Sequence, residues 1–369
     1  MDFGLSEQQT LLIDSVSRLL SDHAPLERTR RYAEQGETRA VDVWQALAEL
    51  GVPGLLIDEA HGGSGLGALE AALVAECLGR HVAPVPFVAS CVLAPLALQR
   101  AGSPAQCAQW LPKLASGALI AGAALSELCG AREDAGVSNT GERLNGRALF
   151  VLDFAADMYV VASRDARLFL VPSDATGLTR RTLISIDRTR RIGELVLHDV
   201  AGELLPDSSD AGIAGDLIAH GRVMHAADTL GAAQAMLDQA VAYAGTREQF
   251  GRVIGSFQAV KHLCAEMAAA LEPSRALMWY AAHALGALPA ESALYACHAK
   301  AYLAEVGSFI ARTATEVHGG MGFTDLLGLH YWFKRIGLNR QLLGSPERAR
   351  QEAAALQGLG INCSDGSRP

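Results

Sequence analysis

A short polar link between two long helical periodicities constrains this chain most. Upstream, Ile213, Leu217, Met224, Ala227, Leu230, Leu237, Val241 and Ala244 recur at helical spacing. Downstream, Leu263, Met267, Leu271 and Leu277 restart the same period. The link runs from Arg247 through Phe250 and Gln258 to His262, so it carries a cation, an aromatic ring and an amide on one rigid element. A guanidinium and an amide held in this way suit a diphosphate and its nucleotide. On spacing alone the same residues also read as a solvated helix end with a buried Phe250, and both readings stand at this point.

The pattern RxQFGxxIxxFQAxxH, beginning at Arg247, resembles the signature of flavin-dependent acyl-CoA dehydrogenases. The resemblance extends from the opening Met-Asp-Phe-Gly-Leu-Ser-Glu-Gln-Gln to about Arg350 and is poorest in the middle. It implies a mainly α fold with a central β-domain. Residues 1–118 would form an N-terminal helical domain, 119–205 a middle β-barrel or sheet domain, and 206–369 a C-terminal four-helix bundle domain. It further implies FAD as cofactor, an acyl-CoA thioester as substrate and an electron-transfer flavoprotein as acceptor. In the family the signature Arg, Phe and Gln reach across a subunit interface to the neighbour's FAD, which here assigns Arg247, Phe250 and Gln258. Gly319 and Gly320 match a Gln-x-x-Gly-Gly segment beside the ADP moiety. Glu316 holds its Gln position and is not carried over, because a carboxylate beside a diphosphate is repulsive unless turned away or paired.

The residues themselves agree with that division. Up to about residue 118 the chain reads as helical: Ser6 can cap a helix bearing Leu11, Leu12, Val16, Leu19 and Leu20, and Ala68 to Leu78 resumes the period. The loop His61-Gly62-Gly63-Ser64-Gly65 lacks the Lys-Ser/Thr of a P-loop and takes a structural role. Val82 to Gln99 is uncharged and nearly long enough for a membrane span, but Pro84, Pro86 and Pro95 interrupt it, so it reads as a turn and a buried helix. Short apolar runs at 148–152, 158–162, 168–171 and 195–197 suggest an antiparallel sheet or small barrel. Ile186 to Ile192, rich in Arg, reads as a charged surface loop; a similar segment occurs in the acyl-CoA dehydrogenase subgroup acting on steroid or bile-acid side chains. From Asp207 helices return, with Ser208, Ser209 or Asp210 as cap. Gly231 inside the first of them costs about 1 kcal/mol against Ala and implies close packing.

Three departures from the family pattern bear on function. The flavin-ring loop reads Ser126-Glu127-Leu128-Cys129-Gly130-Ala131-Arg132-Glu133-Asp134, without the usual Pro-Gly-Ala-Gly turn. The Trp-x-Thr strand is replaced by Phe150-Val151-Leu152, and Leu152 has no hydroxyl to offer. The two positions the family uses for the α-proton base fall on Leu343 and Gly221. Glu347, Asp228 and His220 are the candidates for a displaced base. The resemblance therefore implies the partner subunit of a heteromeric α2β2 acyl-CoA dehydrogenase of the steroid subgroup, lending contacts to a catalytic homologue. A homotetrameric enzyme with a displaced base and a flavin-free scaffold or acyl-CoA-binding protein are the alternatives.

Composition adds limits. Half the 369 residues are apolar, 19% are charged and the net charge is -9, which excludes disorder and argues against nucleic acid as a main partner. Cys77, Cys91, Cys107, Cys129, Cys264, Cys297 and Cys363 are scattered and odd in number, so free thiols in a reducing compartment are expected rather than disulfides or zinc. No leader is visible at the N-terminus, and the expected location is the cytoplasm.

Overall fold

The computed structural model describes residues 4–130 and 134–359, so Ala131, Arg132, Glu133 and Cys363 lie outside it. The first part is helical: α1 (Glu7–His23), α2 (Leu26–Gln35), α3 (Val41–Glu49), α4 (Ala68–Arg80), α5 (Ala94–Ala101) and α6 (Pro104–Ala115). Ser6 caps α1 reciprocally: its Oγ accepts the Gln9 N–H at 3.2 Å while Gln9 Oε1 accepts its own N–H at 2.9 Å. The apolar stretch after Val82 turns at its prolines and enters a helical segment that continues into α5, buried from Val88 to Leu98. Among the described residues no helix is long and apolar enough to cross a membrane.

Two small sheets follow. Strands β1 (Ala121–Ala124), β4 (Met158–Ala162), β5 (Leu168–Pro172) and β8 (Glu203–Leu204) form one in the order β1-β4-β5-β8. Strands β2 (Gly136–Thr140), β3 (Arg143–Val151), β7 (Gly193–Ala201) and β6 (Leu178–Thr182) form the other in the order β2-β3-β7-β6. Pairing is antiparallel as the sequence suggests, except that β1 lies parallel to β4. That exception follows from β1 arriving out of α6 rather than through a hairpin. The sheets touch where Ala123 bridges Leu152, just beyond the end of β3.

The remainder is α7 (Ala211–Thr246), a hairpin of β9 (Glu248–Gln249) and β10 (Arg252–Val253), then α8 (Gln258–Ala287), α9 (Pro289–His318), α10 (His330–Gln341) and α11 (Pro346–Leu356). Asp210 caps α7, its Oδ1 accepting the Gly212 N–H at 2.8 Å. The close packing implied by Gly231 is real and reciprocal. A β-carbon there would lie 1.8 Å from the Glu76 carbonyl oxygen on α4, and one at Gly79 would lie 1.9 Å from that of Asp228 on α7. Two glycines thus let α4 and α7 meet backbone to backbone, which fixes the height of α7 against the N-terminal helices.

The Arg-rich segment before β7 is only in part a surface loop: Ile186 and Arg188 are exposed, but their neighbours turn inward. Asp187 and Thr189 are each 1% exposed. Asp187 Oδ1 accepts the Thr189 N–H and hydroxyl at 2.8 and 2.7 Å, while Arg190 reaches Asp228 on α7 at 2.8 Å. Buried charges persist only when paired, and here the partners come from a distant helix that the local pattern does not reveal.

Candidate functional site

The link after α7 places its side chains outward. Arg247 is the C-cap of α7, donating its N–H to the Tyr243 carbonyl at 2.8 Å and accepting the Ile254 N–H at 2.7 Å. Phe250 sits in the β9–β10 turn with φ +53° and is 92% exposed. The reading of a buried Phe is therefore wrong: the hairpin turn lifts the ring off the helices, and the Phe257 ring meets it edge-on, centroids 6.2 Å apart. Gln258 opens α8 and is exposed. Gly319 and Gly320 follow the end of α9, both exposed, and a β-carbon at either would meet nothing within 4 Å. The Tyr243 and His318 rings, 4.7 Å apart, bring the ends of α7 and α9 together, so the link and the glycine turn share one end of the bundle.

Leu343 and Gly221 also converge. After α10 the chain turns through Leu343 at φ +55° and Gly344 at φ +99° before Ser345 caps α11. Leu343 is 1% exposed, and its Cδ1 lies 2.3 Å from where a β-carbon of Gly221 would stand. The Leu343 carbonyl accepts the Arg222 Nε–H at 2.9 Å, which holds the turn against α7. A left-handed leucine is strained and persists because burial and this bond fix it.

The residues weighed as substitutes are engaged elsewhere. Asp228, 2% exposed, accepts from Arg335 at 3.0 and 2.8 Å and from Asn339 at 2.7 Å, in addition to the Arg190 pair. Burial alone would raise its carboxyl; Arg190 and Arg335 outweigh that and hold it well below the usual range. Glu347 is exposed on α11 and pairs with Arg340 at 2.8 Å. His220 is buried, its Nδ1 2.9 Å from the Asp216 carbonyl; burial and the nearby Arg100 pull it down to about 3, so it stays neutral.

In the sheets, Leu152 is 3% exposed and both its backbone groups are taken, the N–H donating to the Ala123 carbonyl at 2.9 Å and the carbonyl accepting from Ala123 at 3.1 Å. Between Leu152 and Leu342 a space of only about 10 Å³ remains, lined also by Arg190, His225 and Asp228. That is room for about one water.

A much larger crevice, about 990 Å³, opens between the Ser126–Cys129 turn, the start of α7, the α8–α9 junction and α11. Arg222, Cys129, Cys297 and Glu352 line it. Arg222 Nη1 lies 3.2 Å from Cys297 Sγ and also pairs with Glu352. Sequence reasoning passed over Arg222; its one signal is a lone Arg between the apolar pairs Ile218-Ala219 and Val223-Met224. The six described cysteines are free, as expected, and among the described residues no cluster suits a metal.

Comparison with known proteins fits this frame. Residues 6–118 match the acyl-CoA dehydrogenase N-terminal domain and residues 211–356 the acyl-CoA dehydrogenase C-terminal domain. The chain is 31% identical to acyl-CoA dehydrogenase IpdE2 of Mycolicibacterium smegmatis, over 93% of this chain and 96% of that protein. It superposes on the ChsE4–ChsE5 complex of Mycobacterium tuberculosis with a TM-score of 0.87 at 28% identity, covering 97% of this chain and 99% of that one. A variant of the Tcur3481–Tcur3483 steroid ACAD gives 0.86 at 29% identity, covering 95% and 98%. With both terminal regions matched and a relative aligned along nearly its whole length, this chain belongs to the acyl-CoA dehydrogenase family, whose cofactor is FAD.

Proposed function

We propose that this chain is the subunit of a heteromeric, FAD-dependent acyl-CoA dehydrogenase that has no catalytic base of its own and lends contacts to a flavin seated in a homologous catalytic partner. The contact between Leu343 and Gly221 carries this reading. Dehydrogenation of an acyl-CoA thioester needs a group within reach of the α-carbon to take its proton. Bound FAD supplies the acceptor for the β-hydride. Both family positions for the base meet here in an aliphatic contact, with no ionisable group for burial to tune.

The fit to the cofactor is divided in the same way. Arg247, Phe250 and Gln258 point away from their own bundle, and Gly319 and Gly320 leave backbone open beside them. That set suits the adenine and diphosphate end of an FAD held mainly by a neighbour. On the β-domain side, Leu152 has both backbone groups taken and no hydroxyl to offer a flavin ring. Ion pairing of Asp228 counts against a self-sufficient enzyme with a displaced base. The likeness to the ChsE4–ChsE5 complex supports an α2β2 assembly, and the likeness to a steroid ACAD supports a steroid side chain as the acyl group. An electron-transfer flavoprotein is the acceptor that goes with this reading.

Flavin stoichiometry tests it. Co-expressed with a homologous catalytic subunit, the chain is expected in a complex holding one FAD per αβ pair. Expressed alone, it is expected to retain none and to turn over no acyl-CoA. A fully flavinated, active homotetramer would overturn the proposal, as would a complex with its partner that holds no flavin.

A further inference from the structure

The hairpin between α7 and α8 carries a second guanidinium, Arg252, on a position that the signature leaves unspecified. Its loop is two residues long, Phe250 at φ +53° and Gly251 at φ +74°, the left-handed pair that suits the twist of a tight hairpin. Arg252 lies opposite Gln249 and Val253 opposite Glu248. The Arg247 carbonyl, accepting the Ile254 N–H at 2.7 Å, continues the same register. Opposite residues share a face and successive residues alternate, so Arg247, Gln249 and Arg252 stand on one face and Glu248 on the other. Arg247 and Arg252 are diagonal neighbours there, about 7–8 Å apart and within reach of long side chains. Gln249 does not separate them, since its amide folds back to donate to the Glu248 carbonyl at 2.8 Å.

Two like charges thus share one exposed face, and among the described residues no ion pair involves either of them. Arg252 is also held in place. Its guanidinium lies over the Phe257 ring, 4.0 Å from the centroid, and Phe257 in turn meets Phe250 edge-on. Stacking occupies the flat face of a guanidinium and leaves its N–H edge free, the edge that takes phosphate oxygens two at a time.

We infer that Arg252 is a second phosphate-binding residue of this link, so that the two phosphates of one diphosphate meet Arg247 and Arg252 on the same hairpin face. Phe257 is a positioning residue, acting through Arg252 by fixing the plane of its guanidinium. That the diphosphate belongs to an FAD seated in the partner rests on the function proposed above. The pairing of the two cations on one face, with the carboxylate turned away, does not.

Release of FAD from the complex with the catalytic partner, followed by flavin fluorescence, tests this. Measurements are made at about 0.1 M and 1 M salt, between which the screening length falls from about 10 to 3 Å. At the lower salt Arg252→Gln is expected to weaken FAD binding about tenfold, the worth of one charge-assisted contact, and at the higher salt by much less. Arg252→Lys keeps the charge without the fork and should lose less than Arg252→Gln. Phe257→Leu keeps the guanidinium but frees it, and should fall between the parent and Arg252→Gln. Arg247→Ala serves as the reference. If it weakens FAD binding and Arg252→Gln does not, the inference falls and the proposed function stands. If neither variant does so, both fall. A loss in Arg252→Gln that salt leaves unchanged, or failure of that variant to assemble with the partner, assigns Arg252 to the contact between subunits and overturns the inference.

Discussion

Leu343 lies on Gly221: the leucine Cδ1 stands 2.3 Å from the point where a β-carbon on the glycine would be. Under the proposed function these are the two places where the family carries its base, and the two residues meet at one spot between α7 and the turn after α10. A carboxylate at either position would have to displace the other residue's contact.

Gly221→Ala should therefore cost about 1–3 kcal/mol, because the new methyl overlaps a side chain held in a well-packed, left-handed turn. Adding Leu343→Ala should recover part of that cost. Denaturant titration of both single variants and the double variant measures the coupling, expected at about 0.5 kcal/mol or more. Strict additivity would mean that the two residues do not touch.

Asp228→Asn should destabilise the fold by about 3–5 kcal/mol, since it leaves Arg190 and Arg335 as uncompensated buried cations. The pH dependence gives a second check. Asp228 holds its proton less readily in the folded than in the unfolded chain, so its contribution is complete above the ordinary carboxylate value, 3.8. It is lost as pH falls below that toward the lower folded value. The variant should show a shallower acid limb in thermal melts than the parent.

Lys300 titrates in the opposite sense. Burial pulls its ammonium from 10.5 down to about 7, with Arg222 adding to the effect. Between those values the unfolded chain binds more protons than the folded one, so stability should rise as pH increases from about 7 toward 10. Lys300→Met removes the group and should flatten that rise. Melts from pH 7 to 9 that keep the same slope in the variant would assign it to another residue.

Arg247→Ala and Phe250→Ala change outward side chains, so each should leave the melting of this subunit within about 0.5 kcal/mol of the parent. Under the proposed function, Arg247→Ala weakens retention of FAD by the complex about tenfold or more, the loss of one charge-assisted contact. Flavin release followed by fluorescence reads this directly. Unchanged retention in both variants would show that the link does not reach the cofactor.

What the sequence determined by itself is whatever depends on near neighbours along the chain. The helical periods flanking Arg247, the cap at Ser6, the cap of α7 among Ser208, Ser209 and Asp210, the short apolar strands and the packing glycine at 231 are set by spacing of a few residues, and the structure contains each of them, with Asp210 as the α7 cap. The signature from Arg247 to His262 identified the family for the same reason: it is one continuous segment. Only the tertiary structure decided the rest. Local spacing allows a buried Phe250 as well as an outward one, and only the fold shows that its hairpin stands clear of the helices. The segment at Asp187 to Arg190 looked like solvated charge until Asp228, Arg335 and Asn339 arrived from other helices to pair with it. Arg335 and Asp228 are 107 residues apart in the chain, and nothing near either one announces the other. The meeting of Leu343 with Gly221 and the unpaired Nη2 of Arg222 are of the same kind. Burial and pairing of charge depend on which surfaces are pressed together in space, and residue order along one segment does not carry that information.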